Sequence, residues 1–110
     1  MKIPNAEQAI VEFEKLHDYC LSESHPRGKH KARVFASVLG ITADDTVELR
    51  SAILAAVRVT EAISGENDEF GKRYIVDFSM SHRGNEAIIR STWIIRRGED
   101  IPRLTSCYVL

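Results

Sequence analysis

The stretch Tyr74-Ile75-Val76-Asp77-Phe78-Ser79-Met80-Ser81-His82-Arg83-Gly84-Asn85-Glu86-Ala87-Ile88-Ile89-Arg90-Ser91-Thr92-Trp93-Ile94-Ile95 decides the fold. Tyr74, Val76, Phe78 and Met80 alternate with Ile75, Asp77 and Ser79, the period of a strand with one well-buried face. Ser81-His82-Arg83-Gly84-Asn85 reads as a hairpin turn whose glycine supplies a positive φ. Ala87 to Ile95 is the next strand. Ile88, Arg90, Thr92 and Ile94 fall on one face; Ala87, Ile89, Ser91, Trp93 and Ile95 fall on the other. Both faces are apolar, which places this strand centrally. Arg96 to Pro102 is a polar loop, and Arg103 to Val109 is a last strand on which Leu104, Ser106 and Tyr108 share a face.

Upstream the period changes. Glu66 to Gly71 is an acidic loop bounded by glycine. Before it, Leu49, Ala52, Ile53, Ala56 and Val57 mark the buried side of a helix that begins at Thr42 and ends at Ser64-Gly65. Thr42-Ala43-Asp44-Asp45 resembles a capping box with Asp in place of Glu, and its acidic residues complement the helix dipole. Ala32, Phe35, Ala36 and Leu39 form one stripe on a helix from about Gly28 to Leu39, closed by Gly40. Phe13, Leu16, Tyr19 and Cys20 mark a shorter helix, stopped before Ser22-Glu23-Ser24-His25-Pro26. Ala9-Ile10-Val11 reads as an edge strand. The expected fold is therefore α+β. N-terminal helices pack on one face of a C-terminal antiparallel sheet of three to four strands, in one domain spanning residues 1–110.

The chain has 110 residues, of which 44% are hydrophobic, so it can build a core without disulfide staples. Its net charge of −1 does not mark a bulk nucleic-acid binder. No apolar run approaches the roughly 18 residues needed to span a bilayer, so no membrane association is expected. The two cysteines, Cys20 and Cys107, are too few for a disulfide scaffold, and a cytoplasmic setting with free thiols is expected. His17-x-x-Cys20 with a distant Cys107 lacks paired zinc-ligand spacing, so no metal and no cofactor is expected. Phosphate-loop and serine-hydrolase motifs are absent.

Charge is unevenly placed. In His25-Pro26-Arg27-Gly28-Lys29-His30-Lys31-Ala32-Arg33, six of nine residues can carry positive charge. They straddle a helix N-terminus, where cations are unfavourable unless an anion belongs there. The plainer reading is a helix start with lysines turned to water. Arg90 lies mid-strand between Ile88 and Ile94. It either pairs with an acidic residue such as Asp77 or faces a ligand. Ser106 and Tyr108 could orient a phosphate or donate a proton, although a sheet tyrosine more often packs. Trp93 reads as core. Of the histidines, His25 and His30 stand nearest the basic cluster, whereas His17 and His82 read as surface residues.

Several of these residues carry a resemblance. Ile10-Val11, Lys15-Leu16, Tyr19, Leu21, His25-Pro26-x-Gly28-x-x-Lys31-Ala32-Arg33-x-Phe35, Leu39-Gly40, Trp93-Ile94-Ile95 and Pro102-Arg103-Leu104…Tyr108 resemble the bacterial family called domain of unknown function 6883. That resemblance implies a toxin-linked protein with a small cognate antitoxin or immunity protein as partner. At the level of fold it implies similarity to barnase, colicin and RelE-like ribonucleases, with RNA as the substrate. Under that implication His25 is acid or base, Lys31 and Arg90 hold the phosphate, and Ser106 and Tyr108 position it or donate a proton. His30 matches no family position. The alternative is a non-catalytic module that binds a protein partner.

Overall fold

A computed structural model describes residues 1–110. Three helical segments precede a four-stranded sheet. The first, α1, is a turn of α-helix at Phe13–Lys15 continued by a π-helical stretch at Leu16–Cys20. The second, α2, repeats the device, with Lys29–Val34 α-helical and Phe35–Leu39 π-helical. In α1 the wider turn shows in the bond from the Leu21 N–H to the Leu16 carbonyl. Gly40, at φ 70°, closes α2. The third, α3, spans Thr46–Val59 after a 3₁₀ turn at Ala43–Asp45. Its start is the expected capping box: the Thr42 hydroxyl accepts from the chain ahead, and Asp45 accepts from the Thr42 N–H at 2.9 Å.

The strands are β1 (Ile63–Asn67), β2 (Gly71–His82), β3 (Asn85–Arg96) and β4 (Arg103–Val109). They form an antiparallel meander in chain order, with β3 central as its two apolar faces require. The β2–β3 hairpin pairs Tyr74 with Trp93 and Asp77 with Arg90, and turns through Arg83 and Gly84, both at positive φ. All three helices lie against one face. Leu16, Cys20, Phe35, Leu39, Leu49, Ile53 and Val57 meet Val76, Ile89, Trp93, Leu104 and Cys107 in one core. Burying each large aliphatic residue there contributes about 1.5–3 kcal/mol. Trp93 is core, and its indole N–H donates to the Ser91 hydroxyl, which donates to the Val76 carbonyl.

Four readings of the sequence are corrected. Helix α3 ends at Val59, and Ile63–Asn67 is a strand rather than a helix end and loop. Ile10 forms a single parallel bridge to Arg103 in place of an edge strand. His82 is buried, because the hairpin end tucks under the close of α2. There its Nδ1 lies 2.8 Å from the Leu39 carbonyl and its Nε2 lies 3.4 Å from Glu48. Leu104 does not share a face with Ser106 and Tyr108. A bulge pairs Trp93 with Leu104 but Thr92 with Ser106, so Leu104 turns into the core.

Candidate anion-binding site at the edge of β4

The site begins where α1 hands over to α2. Gly28 packs on the Tyr19 carbonyl so closely that no larger residue fits. The intervening turn is held by His25, whose Nδ1 accepts from the backbone N–H groups of Arg27 and Gly28, both at 3.0 Å. Two donors thus converge on Nδ1. That network assigns the neutral ring's proton to Nε2 and makes the ring a hydrogen-bond donor outward. The same bonds occupy the amides that an anion at this helix start would use. The His25 ring stands edge-on to Tyr19 with centroids 4.7 Å apart.

Lys31, one turn into α2, reaches round the free edge of β4. Its ammonium donates to the Ser106 hydroxyl at 3.2 Å and sits 5.1 Å from the Tyr108 ring centre and 5.6 Å from that of Tyr19. Each ring face attracts the cation. No carboxylate pairs with Lys31; the molecule's ion pairs all involve other residues.

Tyr108 faces Arg90 across the β3–β4 ladder. Arg90's main partner is Asp77, bound through Nε and Nη2 at 2.8 Å each. Of the two readings open for Arg90, pairing with Asp77 is the one found. The bidentate bond holds the Asp77 carboxyl below the usual range, its charge attraction to Arg90 adds to this, and burial opposes it.

Beneath Lys31 lie the two thiols, both buried and unbridged. Both belong to the one core cluster. A hydrogen bond from Cys107 is the main cause lowering the Cys20 thiol to about 7, with the Cys107 amide, the Ser106 hydroxyl and the Lys31 charge assisting against burial. The Cys107 thiol is pushed well up by its bond to Cys20 and by burial.

His25, Lys31, Arg90, Ser106 and Tyr108 are therefore linked through successive contacts at one sheet edge. Tyr19 and the two thiols lie in the same neighbourhood; the sequence marked Tyr19 only through the family resemblance and the cysteines only as free thiols, and their adjacency to site residues, in Tyr19-Cys20 and Ser106-Cys107-Tyr108, is the signal that points here. Other basic residues stay outside: Arg27, His30 and Arg33 are exposed. His17 pairs with Asp18 on the surface. The cluster is an open edge rather than a cleft. The molecule's concavities lie elsewhere, the most polar being a groove of about 490 Å³ beside His17, Glu23 and Asp44. No group of three or more His, Cys, Asp or Glu side chains could hold a metal ion. No helix is long and apolar enough to cross a membrane.

Comparison with known proteins places this architecture. The fold is similar to that of a chain in a contact-dependent growth inhibition toxin–immunity protein complex from Klebsiella pneumoniae 342. The TM-score is 0.68 at 12% identity, covering 92% of this chain and 99% of that one. No curated protein matches the sequence. The model of the family described as Domain of unknown function (DUF6883) matches residues 2–110, nearly the whole length. The helices, the sheet and the Lys31 cluster are thus those of a chain that belongs to the DUF6883 family.

Proposed function

We propose that this domain is a toxin-type module acting on RNA, with the edge of β4 as its phosphate subsite. The observation that carries the reading is Lys31: a half-buried ammonium with no carboxylate partner, held by a hydroxyl and two aromatic rings. Such a cation is free to take an anion. The likeness to a chain of a toxin–immunity complex supports the toxin context.

Metal-independent RNA cleavage needs an acceptor for the proton of the attacking 2′-OH, charge stabilisation on the phosphorane and a proton for the leaving oxygen; here the 2′-OH proton passes to solvent water, because His25 Nδ1 is already engaged. In this assignment Lys31 neutralises a non-bridging phosphate oxygen. Tyr108, between Lys31 and Arg90, gives the proton. His25 orients the phosphate through its Nε2–H, because its Nδ1 is already engaged as an acceptor. Ser106 holds the Lys31 ammonium in place. The test is purified domain incubated with total RNA and with single-stranded oligonucleotides. Discrete fragments that disappear with a folded Lys31→Ala variant support cleavage; intact RNA with both proteins overturns it.

One observation favours a second reading, a non-catalytic module that binds a protein partner such as an immunity protein. Nε and Nη2 of Arg90 are spent on Asp77, which withdraws a cation from the phosphate subsite. Intact RNA together with a stable complex with a co-purified immunity-type protein would select it.

A further inference from the structure

Strand β2 is longer than the neighbour that covers it. β1 reaches only as far as Ile75, which pairs with Ile63, while β2 runs on to His82. His82 and Asn85 close a two-residue turn, and the β2–β3 register is unbroken from there. In an antiparallel ladder closed this way His82, Met80, Phe78 and Val76 exchange bonds with β3, and the residues between them turn their N–H and C=O groups the other way. For Asp77, Ser79 and Ser81 that way is the free edge, where no backbone group of a loop, turn or cap bonds them. Ser79 and Ser81 are exposed.

An apolar groove of about 520 Å³ runs beside this edge, between α3 and Phe78. Its helical wall is a stripe of small side chains, Ala52, Ala55 and Val59, and Val59 is 71% exposed. Glu48 lies one turn earlier on the same stripe, beside His82 at the hairpin end, with its side chain 53% exposed. No lysine or arginine of the chain pairs with it.

We propose that the free edge of β2 docks an extended strand of a partner protein, which lays apolar side chains on the Ala52–Ala55–Val59 stripe and a lysine or arginine against Glu48. Unbonded N–H and C=O groups at every second residue supply the main-chain bonds of strand addition, and the groove takes alternate side chains. The Glu48 carboxylate fixes the charge of the occupant. The groove lies at the opposite edge of the sheet from Lys31, so the proposal does not rest on the RNA reading.

The test selects binders to the folded chain from a phage-displayed library of random linear peptides, then measures amide hydrogen exchange by NMR with the selected peptides. The expected binders alternate apolar side chains and carry a lysine or arginine. They should slow exchange at Asp77, Ser79 and Ser81, whereas Phe78 and Met80 are already held by β3. Ser79→Pro removes a donor facing the edge and leaves the β3 ladder intact, so affinity should fall roughly tenfold or more. Should that variant not fold, Val59→Lys, on an exposed position, should weaken the same peptides. Selection that returns no peptide, or peptides that slow amides elsewhere, overturns the docking site. Binders without a basic residue, unaffected by Glu48→Gln, overturn the charge assigned to the partner. A dimer of the chain in sedimentation, lost with Ser79→Pro, overturns the partner protein in favour of a second copy.

Discussion

Gly28 lies against the carbonyl of Tyr19 so tightly that a Cβ at position 28 would stand 2.1 Å from the oxygen. The contact is with backbone, which cannot swing aside. Gly28→Ala is therefore expected to cost about 3 kcal/mol or more, as overpacking of a rigid contact does. It should also move Tyr19 away from Lys31. Thermal denaturation followed by circular dichroism checks the first effect. Loss of RNA cleavage under conditions where the variant is still folded checks the second.

Lys31→Ala removes the unpaired cation without stranding a buried carboxylate, so the fold should survive. Cleavage of RNA should fall by roughly a hundredfold or more, the loss expected when a preorganised charge is removed from the transition state. Initial rates on a labelled oligonucleotide, beside a circular dichroism spectrum of the variant, test this. An undiminished rate would remove Lys31 from the site.

The Asp77–Arg90 pair makes a prediction in acid. The Asp77 carboxyl sits below its unfolded value of about 3.9. The pair's contribution is therefore present above that value and lost as pH falls through the folded one. Asp77→Asn should flatten the dependence of Tm on pH below 4. It should also free Arg90 for phosphate, steepening the salt dependence of RNA binding by about one counterion.

Cys20 gives the opposite end of the pH scale. Its thiol is lowered from 9.0 to about 7 in the folded chain. Between these values the unfolded chain binds more protons than the folded one, so stability rises with pH over that window. It is lost again as pH falls through about 7. Thiolate absorbance in the ultraviolet should show a midpoint near 7, absent in Cys20→Ala.

His82→Ala should cost about 2 kcal/mol, because it leaves the Leu39 carbonyl without its partner inside the core. Chemical denaturation measures it. The effect on RNA cleavage should be small, since His82 lies away from the β4 edge.

How much of this was legible follows from where each signal resides. The β2–β3 hairpin was readable because Tyr74 to Met80 alternate and Ala87 to Ile95 form a run apolar on both faces, joined by a turn carrying Gly84. The Thr42–Asp45 cap and the Gly40 stop were local and came through as well. Strand β1 was not readable: Ile63-Ser64-Gly65-Glu66-Asn67 is largely exposed on both sides and has no apolar period. His82 looked like a turn residue and is one, but its burial comes from α2 and α3, more than thirty residues away in sequence. The bulge that turns Leu104 inward adds one residue to β4 without a sequence mark. Five of the cluster residues stood out as unusual residue types in unusual places. Tyr19 entered only through the family resemblance and the thiols only as free cysteines, because a tyrosine and a cysteine on an apolar helix face look like packing until β4 is laid beside them.

The strand order of the sheet has a consequence for biogenesis. A meander whose neighbours follow one another along the chain can zip from β1 toward β4 as it is synthesised, needing no distant segment to wait for. Lys31 and His25 leave the ribosome before β4, on the helices, whereas Ser106 and Tyr108 arrive with the last strand of this sheet. Until β4 pairs with β3, the ammonium has neither its hydroxyl nor its second ring. The cluster therefore assembles only once β4 has been made, and a ribosome-bound chain lacking β4 carries Lys31 and His25 without the site itself.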